Sequence, residues 1–186
     1  MANAPKYLKG QLLLDGGNLQ GSWFHRSVVL ICQHDADGAF GLVLNRPSGS
    51  KVSDALVADL PDRIKSLPLY VGGPVQPAAM SFLHADVFLP NANVLPNLGL
   101  GHALDELVEL GSGFSPTQQL RLFAGYAGWS PGQLEDEMKR NAWLTHPASI
   151  DLVFHREPEQ LWRMILRECD WRHRLLADSP EDLSWN

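Results

Sequence analysis

Apolar residues fall along this chain in short runs broken by Gly, Pro, Asn and Asp, the pattern of a sheet-rich protein with brief helices. Residues 11–14 read as a short strand before Asp15-Gly16-Gly17, and residues 27–34, SVVLICQH, as a central strand buried on both faces. Asp35 to Gly38 is turn chemistry and residues 39–45 form a second strand, which predicts a hairpin with a four-residue loop. Antiparallel pairing across that loop sets residue 28 near residue 45, so Arg26 and Ser27 emerge beside Asn45 and Arg46 at one sheet end. Pro47 and Gly49 are expected to turn the chain away from it.

Further along, the spacing predicts a helix over 52–60 stopped by Pro61, a short strand over 69–71 ending in the tight turn Gly72-Gly73-Pro74, and a strand over 80–85. Residues 91–101 read as loop, 103–110 as a short helix and 120–124 as a strand. Ile150, Leu152 and Phe154 alternate with Asp151 and Val153, predicting a last strand over 149–155. A helix over 158–169 carries Leu161, Trp162, Ile165 and Leu166 on one stripe, and 170–186 is expected to be a peripheral tail. The fold class implied is α/β, of α+β type. It is a single domain over 1–186, with a curved, mixed but mainly antiparallel sheet or partial barrel flanked by about four helices.

Composition narrows the class. A chain of 186 residues with 45% apolar and 19% charged residues suits one globular domain with a full core. Cys32 and Cys169 lie far apart, as suits a reducing compartment, and neither a secretory signal nor a membrane span is legible; a soluble, cytoplasmic protein is expected. The net charge is −6: residues 1–51 carry +2 and the rest −8. Without a basic run, direct nucleic-acid binding is not expected.

The densest stretch is 125–144, GYAGWSPGQLEDEMKRNAWL. Its glycines permit a sharp strand exit, with Ser130 as N-cap, Pro131 at N1 and Gln133 closing a capping box. Glu135–Lys139 and Asp136–Arg140 have i,i+4 spacing, and Asn141 suits the helix stop. No HxH, HExxH, phosphate-loop or nucleophile-elbow pattern occurs, so no cofactor, metal or catalytic set is expected. Burial inside VVLICQ predicts an inert Cys32 thiol.

Four blocks give the chain a resemblance to the bacterial YqgE/AlgH family: FHRSVVLICQHDADGAFGLVLNRP (24–47), YVGGPV with FLH (70–75 and 82–84), residues 125–144, and LVFHREPEQLW (152–162). The resemblance implies a compact α/β fold in the bacterial cytosol and a label of transcriptional regulator, and it carries no catalytic residues. Gln33 departs from the acidic residue usual beside His34, and residues 86–119 and the segment after Asp170 show little likeness. The expectation is a non-enzymatic binding or regulatory protein with an unidentified protein or small-molecule partner. The alternative is an enzyme or ligand-binding protein with an anion-accepting pocket at the sheet end. The candidate ligand residues are Arg26, Ser27, Asn45, Arg46, Gly72, Gly73, His84, Gly125, Tyr126 and Trp129.

Overall fold

The computed structural model describes residues 7–113 and 115–180. Among them nine strands and seven helices form one domain built on a mixed sheet that does not close. β1 (Gln11–Asp15) lies between β2 (Val28–Asp35) and β9 (Trp143–Pro147), and β2 pairs with β3 (Gly38–Val43). β8 (Gln119–Trp129) then joins two halves. Its end pairs with β3, while its start runs parallel to β5 (Pro68–Val71) and antiparallel to β6 (Val75–Ala85). β4 (Pro47–Lys51) and β7 (Leu98–Gly101) pair with β5 and β6. Every pairing except β5 with β8 is antiparallel.

β2 is apolar without a break because both its faces are covered. Val28, Leu30 and Cys32 join Leu12, Leu14, Leu42 and Phe123 in one core, while Val29 and Ile31 join Leu13, Val43, Trp129 and Trp143 in another. The first core is roofed by α6 (Leu161–Glu168), whose Leu161, Trp162, Ile165 and Leu166 are all buried. Burial of this kind contributes about 2 kcal/mol per side chain. The second face is covered by α4 (Gln133–Lys139) through Leu134.

Several elements differ from the sequence pattern. Residues 149–155 hold a helical turn, α5 (Ile150–Val153), rather than a strand. The Ser149 hydroxyl accepts from the Leu152 N–H, and the buried Arg121 donates to the Val153 and His155 carbonyls at 2.9 and 3.0 Å. A side-chain cap at one end and a cation at the other outweigh the alternation. The hairpin loop is two residues long, since Asp35 pairs with Gly38, and a bulge at Cys32 takes up the slack. Pro47 and Gly49 continue as β4. The helix expected over 52–60 shortens to α1 (Val52–Ala55), followed by α2 (Asp62–Lys65), and part of the 91–101 loop is β7. The helix expected over 103–110 is α3 (Leu104–Ser112). Within the expected tail, α7 (Trp171–Asp178) is a docked helix with Ala177 fully buried, so residues 170–180 are part of the packed domain. Residues 181–186 lie outside the described residues.

The Gly125 to Trp129 segment does not leave the sheet. It remains in β8, and Gly125 at φ +72° is where pairing with β5 ends and, past a single Val75–Tyr126 pair with β6, gives way to β3. Gly132 at φ +76°, not Ser130, precedes α4, although the Gln133 side chain does accept from the Ser130 N–H. Asn141 ends the segment in the left-handed region at φ +53°.

Candidate functional site

The sheet end built by β2 and β3 is organised around Asn45 and Asp15. Asn45 bridges the two strands: its Oδ1 accepts from the Val28 N–H and its Nδ2 donates to the Arg26 carbonyl, both at 2.8 Å. Asp15 is fully buried at the end of β1, and its carboxylate accepts from the Gly17, Leu19 and Arg26 N–H groups at 2.8, 3.2 and 2.8 Å. Those bonds fold the 16–27 connection over the strand ends. They also clamp Arg26 in the left-handed region at φ +55°, which Asp15 holds by its N–H and Asn45 by its C=O. A non-glycine residue in that conformation costs about 1 kcal/mol, and such strain survives only where neighbours fix it.

The result is a crevice of about 260 Å³ lined by His25, Arg26, Asn45, Arg46, Glu159, Trp162 and Arg163. Among the described residues its charged rim is three arginines and a histidine with one carboxylate. Arg26 lies 5.1 Å over the Trp162 ring, and its Nη2 donates to the Ser179 and Pro180 carbonyls at 2.8 and 2.6 Å. Arg46 stacks 4.1 Å from the Trp23 ring and donates from Nη2 to the His25 carbonyl, with burial pushing its pKa below the usual value. No other hydrogen bond engages the Arg46 guanidinium among the described residues, so its remaining N–H groups can meet a ligand. A second cavity of about 180 Å³ shares His25, Arg26 and Trp162 and is closed by Leu176, Ser179 and Pro180.

Of the ten residues singled out from sequence, Arg26, Asn45 and Arg46 line this crevice. Ser27 lies buried beneath it, its hydroxyl donating to the Phe24 carbonyl. Gly72, Gly73 and Gly125 meet one another instead of the crevice. A Cβ on Gly72 would sit 2.3 Å from the Gly125 oxygen, and one on Gly125 would sit 2.5 Å from the Gly73 oxygen. Their contribution is a backbone crossing too tight for any side chain. Tyr126 stacks on Phe40 at 5.0 Å between centroids.

Trp129 belongs to a third arrangement. The indole N–H groups of Trp129 and Trp143 both donate to Glu137 Oε2, at 2.9 and 2.8 Å, while Glu137 Oε1 accepts from Gln133 Nε2 at 2.9 Å. Phe24 packs against both indoles. The charged run therefore serves packing, and its pairing differs from the i,i+4 expectation. Asp136 pairs with Lys139 at 2.7 Å, and Glu135 reaches back to His34 Nε2 at 3.3 Å, off the line of a directed hydrogen bond.

His84 stands apart, in a cleft with Glu106, Asn91, Asn93 and Gln118. Its Nε2 is 3.6 Å from Glu106, and burial lowers its pKa from 6.5, with the Glu106 charge opposing. Burial pushes the Cys32 thiol far above its usual range. No group of three or more metal-ligating side chains is assembled among the described residues, and none of their helices is long and apolar enough to cross a membrane.

The sequence pattern does not mark Asp15, His25, Glu159, Trp162 or Arg163 as crevice-forming residues. The adjacency of His25 to Arg26 in FHRS was the one available signal.

Comparison with known proteins gives a consistent picture. The family model described as AlgH-like matches residues 12–174. A UPF0301 protein of Chlorobaculum parvum is 40% identical, covering 97% of each chain, and a UPF0301 protein of Chlamydia pneumoniae is 34% identical, covering 96% of this chain and 95% of its own. The solution structure of the AlgH protein from Pseudomonas aeruginosa superposes with a TM-score of 0.72 at 32% identity, covering 98% of this chain and all of that one. A crystal structure of a Corynebacterium diphtheriae protein gives 0.73 at 25% identity, covering 95% and 94%.

Proposed function

The chain belongs to the AlgH-like family, and we propose that it is a non-enzymatic binding protein that takes a small anion, a phosphate or carboxylate group, in the strand-end crevice. The observation that carries this reading is the rim of Arg26, Arg46, Arg163 and His25, which among the described residues faces one carboxylate, Glu159. A half-buried guanidinium with unused N–H groups binds an oxyanion through charge-assisted hydrogen bonds, each worth about 2 kcal/mol. The clamp of Asp15 and Asn45 on the Arg26 backbone supports it further, because it fixes the site before ligand arrives.

The same reading puts the protein in the bacterial cytosol and has it regulate gene expression indirectly, through the ligand or a protein partner. A net charge of −6 argues against phosphate-backbone recognition.

Calorimetric titration of the purified chain with inorganic phosphate and with small dicarboxylates tests the reading. One-site binding is expected, weakened about tenfold or more by Arg46→Gln. Absence of binding for every probe, or equal binding by the variant, overturns it.

A further inference from the structure

Beyond its place on the anion-binding rim, His25 is a potential nucleophile. His25 Nδ1 is buried and lies 3.2 Å from Oδ2 of Asp15, a fully buried carboxylate. The approach is off the line of the ring N–H, so the contact is electrostatic. Even so, it sets Nδ1 inward, against the carboxylate. The remaining edge of the ring, about a third of the side chain, is exposed and lines both cavities. No hydrogen-bond partner engages Nε2 among the described residues. With its proton on the nitrogen that faces the carboxylate, a histidine presents a lone pair at the other, and the carboxylate stabilises the positive charge that develops when that nitrogen forms a bond.

The surroundings select the electrophile. Arg26 and Arg46 border the same crevice as His25, and the Arg46 guanidinium is tied to the His25 carbonyl at 3.1 Å. A phosphoryl group is the small electrophile whose oxygens such arginines hold. Resting on the anion-binding reading above, we infer that His25 Nε2 is a phosphoacceptor that takes a phosphoryl group from a small high-energy donor such as a phosphoramidate or an acyl phosphate.

With phosphoramidate the Nε2 lone pair attacks phosphorus, the P–N bond breaks and ammonia leaves. The Nδ1 proton stays facing Asp15, and the arginines neutralise the phosphoryl oxygens. No oxidant, reductant or metal is required. The transfer is stoichiometric and leaves a modified protein, so it suits a regulator without turnover.

The full chain, incubated with phosphoramidate, is followed by intact-mass spectrometry and peptide mapping under alkaline conditions that preserve phosphohistidine. His102, which is exposed, serves as the internal reference. Expected is an acid-labile gain of one phosphoryl mass at His25, formed at least about tenfold faster than at His102 and slowed about tenfold by Asp15→Asn or Arg46→Gln. His25→Gln abolishes the gain at that position and leaves the rate at His102 unchanged. Modification of His25 no faster than His102, in protein that binds phosphate, overturns the inference and leaves the anion site standing. Fast modification without measurable phosphate binding supports the phosphoacceptor and overturns the binding reading.

Discussion

Gly73 and Tyr126 cross so closely that a Cβ on Gly73 would lie 2.0 Å from the Tyr126 carbonyl carbon. This is where β8 changes neighbours, and the crossing neighbours are backbone, which cannot swing aside as a flexible side chain could. Gly73→Ala is therefore expected to cost about 3 kcal/mol or more in urea unfolding. Gly132→Ala, where nothing lies within 4 Å of the added carbon, pays only for its left-handed φ of +76° and costs about 1 kcal/mol. Equal losses would show that steric crowding at the crossing is not what demands glycine.

The two indoles on Glu137 make a second prediction. Replacing Glu137 by Gln keeps one shared acceptor and should cost about 1 kcal/mol, whereas Leu leaves two largely buried indole N–H groups without a partner and should cost about 3 kcal/mol. Tryptophan emission reports the same change, because the Glu137→Leu variant alone alters the polar surroundings of both rings.

The convergence of Arg26, Asn45 and Arg46 was legible because a hairpin fixes its own register once the turn is placed. The bulge at Cys32 and the shorter loop compensate for each other, so the strand ends still meet. The helical nature of 150–153 was not legible, since its determinant, Arg121, lies about thirty residues away. Nor was α7, which carries Trp171 and Leu175 outward and buries only Ala177, so that apolar periodicity marks the wrong face. Asp15 escaped notice for a different reason. Its partners are backbone N–H groups of an irregular connection, and no side-chain pattern records them.

Arg26 allows strain and binding to be separated. Arg26→Ala and Arg26→Gly both remove the guanidinium that borders the crevice, and both should weaken anion affinity about tenfold or more. Only glycine relieves φ +55°, so Arg26→Gly should be about 1 kcal/mol more stable than Arg26→Ala. Alanine matching glycine in chemical denaturation would mean that the left-handed backbone stores no strain.

His84 gives the pH dependence a direction. Its folded pKa lies below the unfolded 6.5, chiefly through burial, so the unfolded chain takes up the proton first as pH falls. Its contribution to stability is intact above about pH 6.5 and is lost as pH drops through that value. Thermal melts between about pH 7.5 and pH 5.5 should therefore fall more steeply for the native chain than for His84→Gln. Parallel slopes would remove His84 from the acid response.

Asp15→Asn tests whether one buried carboxylate organises the whole site. The substitution keeps the shape but places an NH2 group where an oxygen accepts backbone N–H bonds, and it removes the negative charge beside His25. About 3 kcal/mol of stability should be lost, of the order seen when a buried charge network loses one member. Hydrogen exchange should rise first at Gly17, Leu19 and Arg26, whose N–H groups Asp15 accepts. Anion affinity should fall with it, because the rim depends on an Arg26 backbone that Asp15 and Asn45 hold in place. If exchange rises in the 16–27 connection while affinity stays at the native value, the crevice is organised by Asn45 and the strand pairing alone, and Asp15 serves the loop rather than the site.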